Sequence, residues 1–410
     1  MSQSVFDTLT LPNGSVLANR LAKAAMEENM AAEGHLPGSS IIQLYKTWAA
    51  GGTGLLITGN VMVDHRAMTG PGGISLEAGT PLTPFKQWSK AAQMDGSHIW
   101  MQINHPGRQV YAAMGGQVLS PSDIALDLGK HSKLFGKPSP MTDADIQELI
   151  ERFAVTAARA IEAGFNGVQI HAAHGYLVSQ FLSPLTNQRT DQWGGSLANR
   201  ARLLYDIVKA VKAAVPKEAA IAVKLNSADF QRGGFDADDA LEVVKELGRL
   251  NVDLVELSGG SYESPAMQGN TADGRTLERE AYFLQFAKEI AKHAAMPIMT
   301  TGGIVRLAVA QQVIDEGVDM VGVGRALAFS PALPNLWKDS PQAQAVLPTV
   351  SWKDKTMSAL AVMAITKRQL QRMGKGKSPK PNSSPLLSLI ADQVRLKKLT
   401  KAYRNRYENA

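Results

Sequence analysis

The sequence has 410 residues, of which 44% are hydrophobic and 20% charged, so it can bury a large core in one decorated barrel or in two domains. It contains no cysteine, which excludes disulfides, thiolate metal ligands and cysteine-bound iron–sulfur clusters. The net charge of +6 is unevenly distributed. Residues 351–410 hold 14 Lys and Arg against 3 Asp and Glu, whereas residues 1–350 hold 29 Lys and Arg against 34 Asp and Glu. A mildly acidic body gives no reason to expect a nucleic-acid partner.

Apolar runs of strand length alternate with helical patterns eight times along the chain. We predict strands at 21–26, 54–59, 98–103, 167–172, 220–225, 252–258, 297–301 and 319–323. We predict helices near 39–50, 84–94, 143–163, 199–214, 238–250, 280–293, 306–316 and 331–337. Eight such units indicate the α/β class and a (β/α)8 TIM barrel, which we assign to a domain of residues 1–340.

Two additions to the barrel are predicted from turn and loop composition. The segment LTLPNGSVL before the first strand indicates a hairpin with a two-residue Asn13-Gly14 turn, which we expect to close the bottom of the barrel. The long segment from His105 to Met141, after the third strand, is rich in Gly, Pro, Ser and Asp. Long loops in compact domains are usually functional, so we expect this loop to cap the site.

Residues 341–410 form a predicted basic helical extension, a second domain. A helix at 356–374 is followed by a linker and a second helix, 386–407. The second helix has an apolar stripe on or near one face, made of Leu387, Ile390, Val394 and Leu399. Such a stripe is more typical of core or subunit contacts than of a membrane anchor, so the extension is a candidate homo-oligomer interface.

Nothing in the sequence predicts membrane insertion. The N-terminal segment lacks a basic region followed by an apolar run, and no stretch approaches ~18 uninterrupted apolar residues. We therefore expect a cytoplasmic protein.

The run from Gly167 to Arg200 carries the strongest chemical signal. Its apolar strand ends near His171, His174 and Tyr176. Two imidazoles can donate two N–H bonds to one carbonyl oxygen, and a phenol with a reference pKa of about 10 can deliver a proton. This set suits the polarisation and protonation of an enone. Two histidines at this spacing also suit a structural role or a shared metal, but no third ligand accompanies them, so we predict no metal site.

Other predicted strand ends carry groups suited to an anionic cofactor. Glycines follow the seventh and eighth strands at Gly302, Gly303 and Gly324, where backbone N–H groups can approach a phosphate. Arg325 can pair with the same phosphate bidentately. Lys224 lies at an inward-facing position in AIAVKLNS, where a buried charge requires a partner.

The motif HAAHGYL, with FLSP, N-x-R-T-D and WGGSLANR after it, resembles the Old Yellow Enzyme family of FMN-dependent ene-reductases, and the similarity extends over residues 5–337. The resemblance implies noncovalent FMN, reduced by NADH or NADPH. It also implies that His171 and His174 bind the substrate oxygen and that Tyr176 donates the proton.

The resemblance further implies which residues surround the flavin. Gln102 would contact the pyrimidine ring, Lys224 would supply a cation beside it, and backbone atoms of Ala25, Met26 and Gly59 would line it. Two departures are visible: Glu27 stands where many relatives have cysteine or threonine near flavin N5, and Lys224 where many have arginine. An acidic Glu27 would disfavour negative charge on the flavin if it points inward.

Three functions follow from these observations. The first is an FMN-dependent oxidoreductase that reduces the activated C=C bond of α,β-unsaturated carbonyl compounds with NAD(P)H by a ping-pong mechanism. The second is a flavin barrel acting on tRNA, which would explain the basic tail, although such enzymes use a cysteine acid. The third is an aldolase-type barrel with Lys224 as Schiff base.

Overall fold

The computed structural model describes residues 3–268 and 280–407. Eight parallel strands form the central barrel: β1 Leu21–Lys23, β2 Leu55–Ile57, β3 His98–Asn104, β4 Gly167–Ala172, β5 Ala220–Asn226, β6 Leu254–Ser258, β7 Ile298–Thr300 and β8 Met320–Val323. Two short strands, Val61–Met62 and Ile74–Ser75, extend the same sheet beside β3. β4 pairs with both β3 and β5, and β8 pairs with β1, so the sheet closes on itself. The predicted TIM barrel is confirmed, and every barrel strand overlaps its predicted range.

Helices connect the strands on the outside of the barrel. Those that overlap the predicted ranges are α1 Ser39–Ala49, α2 Thr83–Ala92, α3 Asp143–Glu162, α5 Leu197–Ala214, α6 Ala237–Arg249, α7 Leu284–Ala291, α8 Leu307–Asp315 and α10 Leu333–Asp339. Two short helices were not predicted, α4 Leu177–Leu182 and α9 Ala326–Phe329.

The predicted helix at 280–293 begins four residues late. Ala281 has a φ of 56°, a left-handed conformation that helices do not contain. The Glu280 carboxylate accepts hydrogen bonds from the backbone N–H groups of Val305 and Arg306. This segment is therefore used to fix the loop after β7 and does not extend α7.

The N-terminal hairpin is confirmed, but its turn has three residues where we predicted two. Leu9 pairs with Leu17 and Thr10 with Val16, and the N–H of Leu11 donates to the Ser15 carbonyl. Pro12, Asn13 and Gly14 therefore form the loop, with Gly14 at a φ of 87°. A turn that closes with a left-handed glycine is the usual three-residue solution.

The hairpin closes the bottom of the barrel, as predicted. Leu9, Leu11 and Leu17 belong to one buried cluster with interior residues near the amino ends of the strands. Those interior residues include Ala220 and Met320. Because the bottom is filled with apolar side chains, access to the interior is left to the carboxyl ends of the strands.

The loop from His105 to Met141 is held by short elements of its own. Leu119–Ser120 pairs with Ser139–Pro140, and Tyr111 forms a bridge with Phe135. Arg108 anchors it across the barrel mouth, since its guanidinium lies 2.6 Å from a carboxylate oxygen of Glu263 in the loop after β6.

The C-terminal extension forms two helices, α11 Lys355–Met373 and α12 Pro385–Tyr407, and α11 packs against α12, α1 and α9. The linker between them is ordered by the buried Gln369, whose Oε1 accepts from the Lys380 N–H at 2.6 Å. Residues 408–410 of the predicted extension lie outside the described residues. Within the described ranges, no helix combines the length and apolar character needed to cross a bilayer. The division of the chain at residues 340 and 341 stays a prediction.

The first turn of α3 provides a test of local stability. The Thr142 side chain accepts from the Asp145 N–H, and the Asp145 carboxylate accepts from the Thr142 N–H at 2.8 Å, which is a reciprocal capping box. We expect Thr142→Ala to lower the free energy of unfolding by about 1 kcal/mol in urea denaturation. Thr8→Ala, an exposed position outside helices and strands, is the control. Equal stability of the two variants would contradict the capping role.

Candidate active site

Three aromatic side chains meet where β4 ends and α4 begins. His174 and Gly175 take left-handed backbone conformations, with φ of 61° and 73°. This turn places the His171 and His174 rings 5.0 Å apart and the Tyr176 ring 4.8 Å from that of His171, measured between centroids. His171 and Tyr176 are 3% and 7% exposed. The structure therefore brings together the three side chains that the sequence motif indicated.

Both histidines are neutral in this site. Burial lowers the pKa of His171 and His174 well below the usual value, and the positive charge of Lys224 lowers it further. The Nδ1 atom of His171 accepts from the Ala173 N–H at 3.2 Å, which leaves the ring proton on Nε2. A carbonyl oxygen can therefore be held by an uncharged imidazole donor.

Side chains from neighbouring strand ends orient His174 and Tyr176. The Nε2 atom of His174 lies 2.7 Å from the Ser258 hydroxyl, and its backbone N–H donates to Asn226 Oδ1 at 3.1 Å. The Tyr176 hydroxyl lies 3.1 Å from that of Tyr262, and burial raises the pKa of Tyr176. Sequence reasoning missed Tyr262, because only folding brings the loop after β6 next to β4.

A buried polar chain crosses four adjacent strands beneath these rings. Lys224 Nζ lies 2.7 Å from Glu256 Oε1, and Gln169 donates to the other oxygen of Glu256 at 2.8 Å. Gln102 in turn donates to Gln169 Oε1 at 2.8 Å. The partner that Lys224 requires is therefore Glu256, which sequence reasoning missed although it is a charged residue inside an apolar strand. Lys224 lies on the inside of the barrel, as predicted, and Gln102 lies there with it.

The backbone segments after β1 and β2 meet at the barrel mouth. A Cβ on Gly59 would lie 2.3 Å from the Met26 carbonyl oxygen, so only glycine fits this approach. The N–H of Gly59 donates to Glu28 Oε1 and to the Tyr45 hydroxyl, each at 3.1 Å. Ala25 and Met26 are partly exposed beside it. The structure therefore brings Ala25, Met26 and Gly59 to one edge of the site.

A buried lysine fixes this edge from below. Lys23 Nζ donates to the Ile57 carbonyl at 2.6 Å and lies 3.6 Å from a carboxylate oxygen of Glu28. Burial lowers the pKa of Lys23 to about 8. Because Glu28 pairs with Lys23 and also accepts from the Gly59 N–H, the loop after β1 is tied to the start of the loop after β2.

Glu27 lies against the loop after β2, within electrostatic range of Tyr176. Its Oε1 accepts from the Thr69 hydroxyl at 2.9 Å, and its charge contributes to the raised pKa of Tyr176. Burial raises the pKa of the Glu27 carboxyl, and the positive charge of Lys367 opposes that shift. The sequence left the orientation of Glu27 open, and in the structure its carboxyl is held by Thr69 of the loop after β2.

The ends of β7 and β8 fit a phosphate. Gly302 and Gly303 have φ of 127° and 73°, values that favour glycine, and a Cβ on Gly324 would meet open space. Arg325 is partly exposed at the start of α9, and among the described residues it forms no ion pair. Backbone N–H groups and an available guanidinium suit a dianion here, so the residues present fit the phosphate of a mononucleotide.

Comparisons with known proteins agree with this geometry. Residues 4–341 match the model of the NADH:flavin oxidoreductase / NADH oxidase family. The chain is 37% identical over 350 residues to NADH-dependent flavin oxidoreductase iliE of Hypocrea jecorina, covering 80% of this chain and 86% of that protein. It is 33% identical over 291 residues to NADPH dehydrogenase of Listeria monocytogenes, covering 70% of this chain and 80% of that one.

The solved structure of an Old Yellow Enzyme homologue from Zymomonas mobilis superposes with a TM-score of 0.72 at 26% identity, covering 84% of this chain and 95% of that chain. The sequence match spans most of both chains, and the barrel is that of the same fold. The chain therefore belongs to the NADH:flavin oxidoreductase / NADH oxidase family, which includes the Old Yellow Enzyme homologues, and is an oxidoreductase that uses FMN with NADH or NADPH as reductant.

Proposed function

We propose that this protein reduces the activated C=C bond of α,β-unsaturated carbonyl compounds. The observation that carries the proposal is the pair of neutral imidazoles at His171 and His174 beside the buried Tyr176 hydroxyl. The two imidazoles would bind the carbonyl oxygen of the substrate and draw electron density from the double bond. Bound FMN would supply the hydride that reaches the β-carbon.

The proton would come from Tyr176. Its hydroxyl keeps the proton at neutral pH, because burial raises its pKa, and donates it to the α-carbon as negative charge develops there. Tyr262 would then stabilise the resulting phenolate, since its hydroxyl lies 3.1 Å away. The two tyrosines thus divide the roles of donor and hydrogen-bond partner.

We propose that the nicotinamide and the alkene use this site in turn, in a ping-pong mechanism. The sequence contains no dinucleotide-binding fingerprint of the form G-x-G-x-x-G. Its absence favours a nicotinamide that stacks on the flavin ring and needs no separate dinucleotide site. In this proposal, Gln102 and Lys224 bind the flavin ring from the barrel interior. The phosphate is bound by Gly302, Gly303, Gly324 and Arg325, and no metal takes part.

The two alternative functions have less support. An aldolase needs a free amine that faces its substrate, whereas Lys224 Nζ is bonded to Glu256. A tRNA-modifying barrel would offer the basic extension to the nucleic acid, and it would need an acid other than cysteine. We therefore favour a small-molecule enone as substrate and no nucleic-acid partner.

We also propose that the extension mediates homo-oligomerisation. The stripe predicted on α12 includes Leu387, Ile390 and Val394, which are 60%, 51% and 63% exposed in one chain. A second copy that covers this stripe would remove apolar surface from water. The cytoplasmic location expected from the sequence stays a prediction.

Retention of the flavin tests the phosphate site. We expect Arg325→Ala to lose most of its FMN during purification, because the guanidinium is the cation proposed to pair with the phosphate. The measurement is the ratio of flavin absorbance to protein absorbance. Arg249→Ala is the control, since that side chain is 74% exposed on α6. Full flavin content in Arg325→Ala would contradict the assignment of Arg325 to the phosphate site.

The two half-reactions test Tyr176. Tyr176→Phe removes only the hydroxyl, so flavin reduction by NADH or NADPH should stay near the wild-type rate. Reoxidation by 2-cyclohexenone should slow roughly 100-fold or more, the usual scale for a lost general acid. Stopped-flow absorbance separates the steps, and Tyr205→Phe on the outer helix α5 is the control. Equal losses in both steps would mean a structural role, and no loss in either would mean another proton donor.

A further inference from the structure

The last residue of β3 is a fully buried asparagine whose side-chain amide is unpaired. Asn104 is 0% exposed, and neither Oδ1 nor Nδ2 has a hydrogen-bond partner among the residues that the structure describes. No other described side chain has two such atoms. Buried amides are normally hydrogen-bonded, because their transfer from water without a partner costs free energy. An amide that the protein itself leaves unpaired therefore indicates a ligand.

The alternation of side chains along β3 turns this amide into the barrel. Side chains two residues apart on a strand face the same side of the sheet. Trp100 belongs to the apolar cluster inside the bottom of the barrel, and Gln102 donates to Gln169 within the polar chain. Asn104 is the next residue of this series, one layer nearer the carboxyl ends of the strands. Its amide therefore faces the interior at the mouth of the barrel, where the proposed active site lies.

The neighbour of Asn104 on β4 is His171. Ile103 pairs with Ile170, so one residue further the same register brings Asn104 and His171 side by side on strands ~4.8 Å apart. The two segments stay together beyond this point, because the N–H of the first residue of α4 donates to the first carbonyl after β3 at 3.0 Å. The unpaired amide therefore lies beside an imidazole that we propose as a substrate ligand.

The two side chains together are complementary to an amide. The Nε2 atom of His171 carries the ring proton and can donate, since Nδ1 accepts from the Ala173 N–H. The Oδ1 atom of Asn104 can accept. A carboxamide or an imide presents the matching pair, a carbonyl oxygen beside an N–H. A simple enone such as 2-cyclohexenone presents only the oxygen and would leave the Asn104 acceptor unpaired.

We propose that Asn104 is a specificity-determining residue that binds the N–H of ligands in which an amide or imide N–H lies beside the carbonyl. The inference rests on the proposed function and extends it, because the nicotinamide and the alkene use one site in turn in that proposal. The shared ligand chemistry is a planar amide, and it has two sources. One is the carboxamide of the nicotinamide coenzyme, and the other is an unsaturated imide that serves as the alkene.

Thermal unfolding of the flavin-loaded protein tests whether the amide is unpaired. Asn104→Leu keeps the branched shape and removes both polar atoms, so its unfolding midpoint should equal or exceed that of the wild type. Asn19→Leu is the matched control: this buried amide bonds Gly52, Leu21 and Gly54, and its loss should lower the midpoint by a few degrees. A comparable loss in Asn104→Leu would mean that the amide bonds the protein, which would overturn the inference.

Discrimination between two coenzymes tests the hydrogen bond. The reduced 3-acetylpyridine analogue of NADH carries a methyl group where the carboxamide of NADH has its amino group. The wild type should bind NADH about 5- to 10-fold more tightly than the analogue, measured from the concentration dependence of flavin reduction in stopped flow. This ratio should fall to about 1 in Asn104→Leu and in the smaller Asn104→Ala. Asn19→Leu should keep the wild-type ratio.

Maleimide and N-methylmaleimide test the alkene in the same way. The chain has no cysteine thiol for them to alkylate. The wild type should bind maleimide more tightly than the N-methyl derivative during flavin reoxidation, and Asn104→Leu should lose the difference. A fall in the coenzyme ratio alone would assign Asn104 to the coenzyme, and a fall in the imide ratio alone would assign it to the alkene.

Three results separate the failure of this inference from that of the proposed function. Coenzyme and imide ratios that both stay unchanged in Asn104→Leu would overturn the inference. A changed flavin spectrum or FMN content of Asn104→Leu without ligand would also overturn it, because the amide would then serve the flavin. If neither maleimide nor 2-cyclohexenone reoxidises the wild-type flavin, the proposed function fails, and the coenzyme ratio still decides the role of Asn104.

Discussion

The ion pair between Lys224 and Glu256 is the interaction on which the site depends. Both side chains are buried in the barrel interior, and losing one partner would leave an uncompensated charge at a cost of about 3–5 kcal/mol. Gln169 and Gln102 extend the pair by hydrogen bonds, so a chain of hydrogen-bonded polar side chains crosses the inside of the barrel from β3 to β6. The strands that carry the proposed flavin and substrate contacts are therefore locked in register by this chain.

The same cation sets the character of the two histidines that we propose as substrate ligands. Lys224 lies next to His171 across the β4–β5 pairing, and its charge adds to burial in keeping both imidazoles neutral. Neutral donors bind a carbonyl oxygen without supplying the proton themselves. In the proposed mechanism this leaves proton transfer to Tyr176, so that the imidazoles and the phenol have separate tasks.

Sequence patterns predicted the parts of the site that are contiguous in the chain. The strand and turn that carry His171, His174 and Tyr176 can be located because one motif contains them all. Glu256 and Tyr262 are harder to assign, because their roles depend on neighbours far away in sequence. The electrostatic influence of Lys367 on Glu27 depends on how a helix more than 300 residues later packs, which no local pattern encodes. The late start of α7 has the same origin, since Glu280 bonds the loop after β7.

A crystal structure of the flavin-loaded protein with para-hydroxybenzaldehyde tests the central claim most directly. The account predicts the FMN phosphate against Gly302, Gly303, Gly324 and Arg325, with the flavin ring over the carboxyl ends of the strands. It predicts the phenolic oxygen of the ligand within hydrogen-bond distance of His171 and His174. A flavin bound elsewhere, or a ligand oxygen directed away from both imidazoles, would contradict the account.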